Sequence, residues 1–102
     1  MSEKDIRNDL REIRYFYSRK ELFEKSAAAV GTHAIFEKAD KYNAVIRQAP
    51  PRLFDVYVSI YWLNNSQESL ANKLGYTVEY ISMLHTQLVQ FFKKNFNQKE
   101  AQ

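Results

Sequence analysis

Residues 66–91 constrain the fold of this chain most strongly, because they have the spacing of two short helices joined by a tight turn. They read SQESLANKLGYTVEYISMLHTQLVQF. Leu70, Ala71 and Leu74 share one face at helical spacing, and the small Ala71 would let a second helix cross closely. Gly75 can take a positive φ without steric cost, so it can end the first helix and redirect the chain. The pattern predicts a helix-turn-helix.

Polar residues stand where the two helices of this motif need N-terminal caps. Ser66 or Asn65 can accept a backbone N–H bond at the start of the first helix, and Asn65 with Glu68 fits a capping box. Thr77 can cap the second helix. An apolar stripe runs along the second helix, formed by Val78, Ile81, Leu84, Leu88 and Phe91. This stripe is expected to face inwards, which leaves the opposite face for a partner.

Residues 52–63, which read RLFDVYVSIYWL, fit two kinds of structure. Alternating apolar residues and a β-branched, aromatic composition favour a strand. Leu53, Val56 and Ile60 also fit a helical face, and Pro51 suits the first turn of a helix. Because a helix-turn-helix needs a preceding helix to support its core, we predict a helix that is apolar nearly all round.

The N-terminal half predicts two more helices. A first helix is expected over residues 3–28, capped by Ser2. After Ser18, either its apolar stripe drifts around the helix or the helix bends. That stripe consists of Ile6, Leu10, Ile13 and Tyr17. Along the same helix, Arg7, Arg11 and Arg14 alternate with acidic residues. The simplest interpretation is a solvated face with ion pairs between residues that are four apart. The alternative is that these arginines contact phosphates.

A second N-terminal helix is expected over residues 33–48, where apolar residues keep helical spacing. Gly31 would end or kink the helix before it, and Pro50–Pro51 would stop it, since proline disfavours helix in the preceding residue. The predicted fold is all-α, with an N-terminal helical pair and a C-terminal three-helix unit. Its predicted divisions are a packing or dimerisation hairpin over 1–49, the helix-turn-helix unit over 50–96 and a frayed tail over 97–102.

The composition narrows the classes of function. The chain has 102 residues, enough for one domain, and 45% of them are apolar, enough for a packed core. It has no cysteine, which excludes disulfides, thiolate catalysis and cysteine-ligated metal sites. The start, MSEKDIR, lacks an apolar signal region, and no stretch approaches membrane-spanning length. A cytoplasmic protein without a membrane partner is the default expectation.

Candidate metal and catalytic groups are sparse. His33 and His85 are the only histidines, about fifty residues apart, and no carboxylate cluster at metal-ligand spacing accompanies them. His85, beside the second helix of the motif, could instead contact phosphate or solvent. There is no glycine-rich phosphate loop and no nucleophile motif. We therefore expect no enzyme, no catalytic residues, no metal and no cofactor.

The stretch from Pro50 to about Phe92 resembles the sigma-70 region 4-like family of helix-turn-helix domains. The resemblance lies in the sequence APPRLFDVYVSIYWLNNSQESLANKLGYTVEYI. A proline precedes an aromatic and aliphatic helix, and then come a turn with serine, a Leu-Ala step and a Leu-Gly turn. Small phage and mobile-element regulators, including the ArpU-like late-gene activators, are similar in size and layout. The resemblance covers less than half of the chain and implies a DNA-binding transcriptional regulator.

In a helix-turn-helix, the N-terminal turns of the second helix enter the major groove of DNA. The N-terminal helices would pair two copies into a homodimer, since symmetric pairing adds a second half-site. The predicted partner is duplex DNA. Six residues are expected to face the bases: Tyr76, Thr77, Glu79, Ser82, Met83 and Thr86. Three more are expected to contact phosphates: Lys73, Lys93 and Lys94.

The charge distribution leaves a second function open. The net charge is +3, but residues 51–102 hold five basic and four acidic residues. The half of the chain that contains the predicted base-facing residues is therefore nearly neutral. The second helix of the motif carries no lysine or arginine before Lys93. Both features predict weak attraction to phosphates. The alternative is therefore a protein-interaction module of the same shape, such as a phage-encoded modulator of a host protein complex like RNA polymerase.

Overall fold

The computed structural model describes residues 1–25 and 32–100, and in this part of the chain it contains helices and no strand. The predicted all-α fold is confirmed. Residues 52–62 are helical, because α4 continues directly into a π-helical turn that ends at Trp62. The helices are α1 (Glu3–Ser18), α2 (Lys20–Lys25), α3 (Thr32–Ile46), α4 (Pro51–Tyr57), the π turn (Val58–Trp62), α5 (Gln67–Leu74) and α6 (Val78–Glu100).

The first predicted helix is in fact two helices. Ser2 caps α1 as expected, with its Oγ accepting from the Asp5 backbone N–H at 3.1 Å, and the Asp5 carboxylate accepting from the Ser2 N–H at 2.9 Å. Arg19 leaves helical geometry at φ −129° and ψ 29°, so α1 ends at Ser18, where the apolar stripe drifts. The predicted role of Gly31 lies outside the described residues.

The two prolines separate α3 from α4, as the sequence predicts. α3 ends at Ile46, two residues earlier than expected, and the chain turns through Gln48 N–H to Val45 O and Ala49 N–H to Ile46 O bonds. Pro50 precedes α4 in extended conformation, and Pro51 occupies its first turn, where a missing N–H costs nothing.

The π turn ends the apolar segment and reverses the chain before α5. Leu63 donates to the Val58 carbonyl at 2.9 Å, which is the wider spacing of a π-helix. Asn64 then takes φ +59°, a left-handed conformation that asparagine tolerates better than most residues.

A single apolar core joins the N-terminal and C-terminal halves. The predicted inward positions Ile6, Leu10 and Ile13 are buried on α1, whereas Phe16 replaces Tyr17 as the fourth buried residue. α1 contacts α3 on one flank and the π turn and α6 on the other. The N-terminal helices therefore pack onto the C-terminal unit, and the division at Pro50 stays a prediction about chain organisation.

Aromatic rings fill the centre of this core. Phe92 is fully buried, with its ring centroid 4.8 Å from that of Tyr42 and 5.7 Å from that of Tyr57, and it stacks on Phe96 at 5.9 Å. The Tyr42 hydroxyl donates to Asp9 Oδ2 at 2.6 Å, which satisfies the polar end of a buried ring.

The inward stripe of α6 drifts along its length. Ile81, Leu84 and Leu88 are buried as predicted, but Val78 is exposed and Phe91 is only half-buried. Val89, Phe92 and Phe96 are buried instead. A straight α-helix has 3.6 residues per turn, so the residues that face a long neighbouring helix do not repeat at one fixed spacing. The buried positions therefore shift around α6 along its length.

α6 continues through Glu100, whereas the sequence predicts a frayed tail from Asn97. The amino group of Met1 donates to Asn97 Oδ1 at 3.0 Å, and Asn97 Nδ2 donates to the Met1 carbonyl at 3.3 Å. This contact joins the two ends of the described chain, which are 96 residues apart, so no local sequence signal reveals it.

Candidate nucleic-acid interface

α5 begins at a serine cap. Ser66 Oγ accepts from the Ser69 backbone N–H at 3.0 Å, so Ser66 is the N-terminal cap that the sequence allowed. The alternative capping box of Asn65 and Glu68 is wrong, because Asn65 Oδ1 instead accepts from Lys73 Nζ at 2.8 Å. That bond holds Lys73, one of the predicted phosphate contacts, against the loop before α5.

The turn between α5 and α6 has the geometry of a helix-turn-helix. Gly75 ends α5 at φ +73°, and the next N–H, that of Tyr76, donates to the Ala71 carbonyl at 3.0 Å. Apart from Gly75 itself and its two chain neighbours, nothing lies within 4 Å of the place where a Cβ would stand, so glycine is needed here for its positive φ and not for its small size. Ala71 is buried where α5 packs against α6. Thr77 Oγ1 caps α6 by accepting from the Tyr80 N–H at 3.1 Å.

The first turns of α6 present a continuous exposed face. The six residues predicted to face the bases are all exposed: Tyr76, Thr77, Glu79, Ser82, Met83 and Thr86. Residues 79, 82, 83 and 86 share one side of the helix and span about 10 Å along its axis. Thr77 already uses its hydroxyl oxygen in the cap, and the Tyr76 ring lies 4.9 Å from that of Tyr80. Ser82, Met83 and Thr86 therefore have the freest side chains for contact.

The N-terminus of α1 limits this face on the C-terminal side. Glu3 accepts a hydrogen bond from the Gln90 side chain, one helical turn beyond Thr86. Lys93 is half-buried and Lys94 is exposed, both beyond that contact. Lys93 lies about 15 Å along the axis from Met83. The structure thus brings the base-facing set together but separates it from these two predicted phosphate contacts.

Three arginines of α1, here called the arginine flank, are Arg7, Arg11 and Arg14. They recur at i, i+4 and i+7, so they share one side of the helix. The acidic residues between them lie on the opposite flank, where Lys38 of α3 binds the Asp9 carboxylate at 3.2 Å and also the Glu12 carboxylate.

The predicted pairing of these arginines with neighbouring acids is therefore wrong. Among residues 1–25 and 32–100, no carboxylate lies within ion-pair distance of any member of the arginine flank. An ion pair between residues four apart does form further along the chain, between Glu21 and Lys25 at 3.3 Å.

The arginine flank borders the helix-turn-helix. Arg14 Nε donates to Asn64 Oδ1 at 2.7 Å, and its Nη2 donates to the Asn65 carbonyl at 3.3 Å, in the loop that leads into α5. The positive charge of Arg7 contributes, after burial, to lowering the pKa of His85 on α6.

His85 is buried rather than available for phosphate or solvent. Its side chain is 8% exposed, and its Nε2 is hydrogen-bonded to the Tyr61 hydroxyl. Burial, and then the charge of Arg7, lower the pKa of His85, whereas burial raises the pKa of Tyr61 to about 12. A neutral imidazole that accepts at Nε2 and a protonated phenol that donates satisfy both groups.

We expect the free energy of unfolding to fall as the pH is lowered through 6.5, in part because of His85. The pKa of His85 is depressed in the folded protein, so the unfolded chain binds the proton more readily just below pH 6.5. Urea denaturation at pH 7.5, 6.5 and 5.5 measures the effect. His85→Gln, which can still accept from Tyr61, should lose part of the slope; a variant with the wild-type slope would contradict this assignment.

The other side of the α6 face meets α4. Arg52 Nη1 donates to the Tyr80 hydroxyl at 2.7 Å, and an open groove beside this bond is lined by Pro50, Pro51, Met83 and Gln87. Apolar side chains are also unusually exposed near this edge of the motif: Leu74 at 52%, Tyr76 at 48%, Val78 at 42% and Met83 at 46%.

Comparison of the chain with protein-family models, curated proteins and solved structures found no match. Within the described ranges, no group of three or more potential ligands could hold a metal ion. None of the described helices combines the length and apolar content needed to cross a membrane. The likeness to sigma-70 region 4-like domains therefore stays a prediction that rests on the residues.

Proposed function

We propose that the protein is a transcriptional regulator that binds duplex DNA by placing the first turns of α6 in the major groove. The observation that carries the proposal is the capped α5–turn–α6 unit, which leaves one side of α6 exposed over residues 79–86. An α-helix fits the major groove, which is about 12 Å wide, and enters it by its N-terminal residues.

The exposed side chains suit base recognition by short polar and apolar contacts. The hydroxyls of Ser82 and Thr86 can donate to or accept from base edges, and Glu79 can accept from the amino group of cytosine. Met83 can contact the methyl group of thymine. We further propose a phage or mobile-element origin and a homodimer, which would double the contact with two half-sites.

We expect the protein to bind random-sequence duplex DNA at 50 mM salt and to lose affinity steeply as salt rises. The logarithm of the binding constant falls by about 0.9 per phosphate contact for each tenfold rise in salt. Four contacts would thus lower affinity about a hundredfold between 50 and 200 mM. Fluorescence anisotropy of a labelled duplex measures the series.

A pair of matched variants tests the assigned face. Met83→Glu places a negative charge on the exposed side of α6 and should weaken binding by at least about tenfold, which is ~1.4 kcal/mol. Gln98→Glu adds the same charge near the far end of α6 and should have little effect. Equal affinities for the two variants would exclude this face, and no wild-type binding at 50 mM salt would exclude the function.

The second candidate is a protein-interaction module with the same fold. It is favoured by the exposed apolar side chains Leu74, Tyr76, Val78 and Met83, since contiguous apolar surface often marks a protein contact. A subunit of a host complex such as RNA polymerase is the kind of partner such a surface would take. A protein that binds no duplex DNA at low salt would favour this candidate.

A further inference from the structure

We propose that the arginine flank of α1, Arg7, Arg11 and Arg14, binds the phosphate backbone of duplex DNA beside the groove that α6 enters. The inference rests on the proposed function and assigns the main electrostatic anchor to a helix outside the helix-turn-helix. It does not depend on Lys93 and Lys94, which lie past the contact between Glu3 and Gln90.

The first argument is charge. The arginine flank has no carboxylate within ion-pair distance among the described residues, because Lys38 binds both Asp9 and Glu12 on the opposite flank. Glu3, one helical turn before Arg7, is bound by the Gln90 amide. A row of unneutralised guanidinium groups matches a row of phosphates, and arginine presents up to five N–H donors to phosphate oxygens.

The second argument is position. α1 crosses α6 so that Glu3 contacts Gln90, while Arg14 at the other end of the flank contacts Asn64. The flank therefore runs along the side of the motif, from the C-terminal limit of the exposed α6 face to the loop before α5. Phosphates flank the major groove, so a helix that occupies the groove brings them to this side.

The third argument is rigidity. Arg14 is fixed by hydrogen bonds to Asn64 and Asn65, which join α1 to the loop that precedes α5. These bonds keep the flank at a constant distance from α6. Arg52 lies on the other side of the α6 face, where it donates to Tyr80, so arginines stand on both sides of the residues that would read the bases.

The test compares charge-removing variants in the same salt series. Arg11→Gln should reduce the steepness of the salt dependence by about 0.9, as expected for one lost phosphate contact, and Arg7→Gln/Arg11→Gln by about 1.8. Lys41→Gln removes one positive charge from α3, on the other side of α1, and should leave the slope unchanged. Arg11→Lys, which keeps the charge, should retain the wild-type slope.

The outcomes separate this inference from the proposed function. Wild-type binding that Met83→Glu weakens, but that the double arginine variant leaves unchanged in affinity and slope, would overturn the arginine flank alone. No wild-type binding at low salt would overturn both. Within the described residues, Arg7 and Arg11 make no long-range hydrogen bond or ion pair, so the double arginine variant should keep the wild-type circular dichroism spectrum. A slope reduced equally by Lys41→Gln would also overturn the assignment.

Discussion

A chain that begins at Pro50 is expected to be largely unfolded, although it contains the whole predicted helix-turn-helix. It would lack Ile6, Leu10, Ile13 and Phe16, which α1 buries in the common core. Burial of each such side chain contributes about 1.5–3 kcal/mol, so the loss is roughly 6–12 kcal/mol. Domains of this size are stable by only about 5–15 kcal/mol.

Far-UV circular dichroism and a thermal melt of residues 50–102 test this expectation. The fragment should show little helix and no cooperative transition, whereas the full chain melts cooperatively. Addition of a separate 1–49 peptide should restore some helical signal, because the missing apolar surface returns in trans. A fragment that melts cooperatively on its own would make Pro50 a true domain boundary and would show that α1 is dispensable for folding.

Phe92→Ala is expected to lower the free energy of unfolding by about 3–5 kcal/mol, the usual cost of removing a buried aromatic ring. Phe92 has no exposed surface and contacts the rings of Tyr42, Tyr57 and Phe96. These rings come from α3, α4 and α6, so the cavity would lie where three helices meet and could not close by movement of one side chain. Urea denaturation monitored by circular dichroism measures the change.

Phe91→Ala is the matched control. Phe91 is the adjacent residue on α6 and only half-buried, so the same truncation removes less buried surface. We expect a loss clearly smaller than that of Phe92→Ala. Equal losses at the two positions would mean that the aromatic cluster around Phe92 is not the centre of the core.

The helix-turn-helix is predictable because its signals are local. Ser66, Gly75 and Thr77 each act on backbone groups within five residues, so their roles can be inferred from residue type and spacing. The helix predicted over residues 52–63 is also correct, but no sequence signal predicts its π turn. The β-branched and aromatic composition of this segment fits several backbone states, and tertiary packing decides among them.

The electrostatics of α1 are harder to predict because they depend on distant residues. Helical spacing in the sequence puts Asp9 and Glu12 on a different side of α1 from Arg7. This separation is easy to miss, because acidic and basic residues alternate along the sequence and so suggest ion pairs. Helical spacing cannot predict that Lys38 is the partner of both acids, because Lys38 lies on α3, 26 residues from Glu12. Contacts this long-range require the packed fold, as does the bond between Met1 and Asn97.

The π turn has a consequence for how such a motif could diverge. Each residue added to or removed from a helix rotates the next part of the chain by about 100°. A one-residue change in length between Val58 and Trp62 would thus re-aim α5 and α6 relative to α1 without altering a single residue of the motif. The length of this turn therefore sets how the exposed side of α6 is oriented relative to the arginine flank of α1.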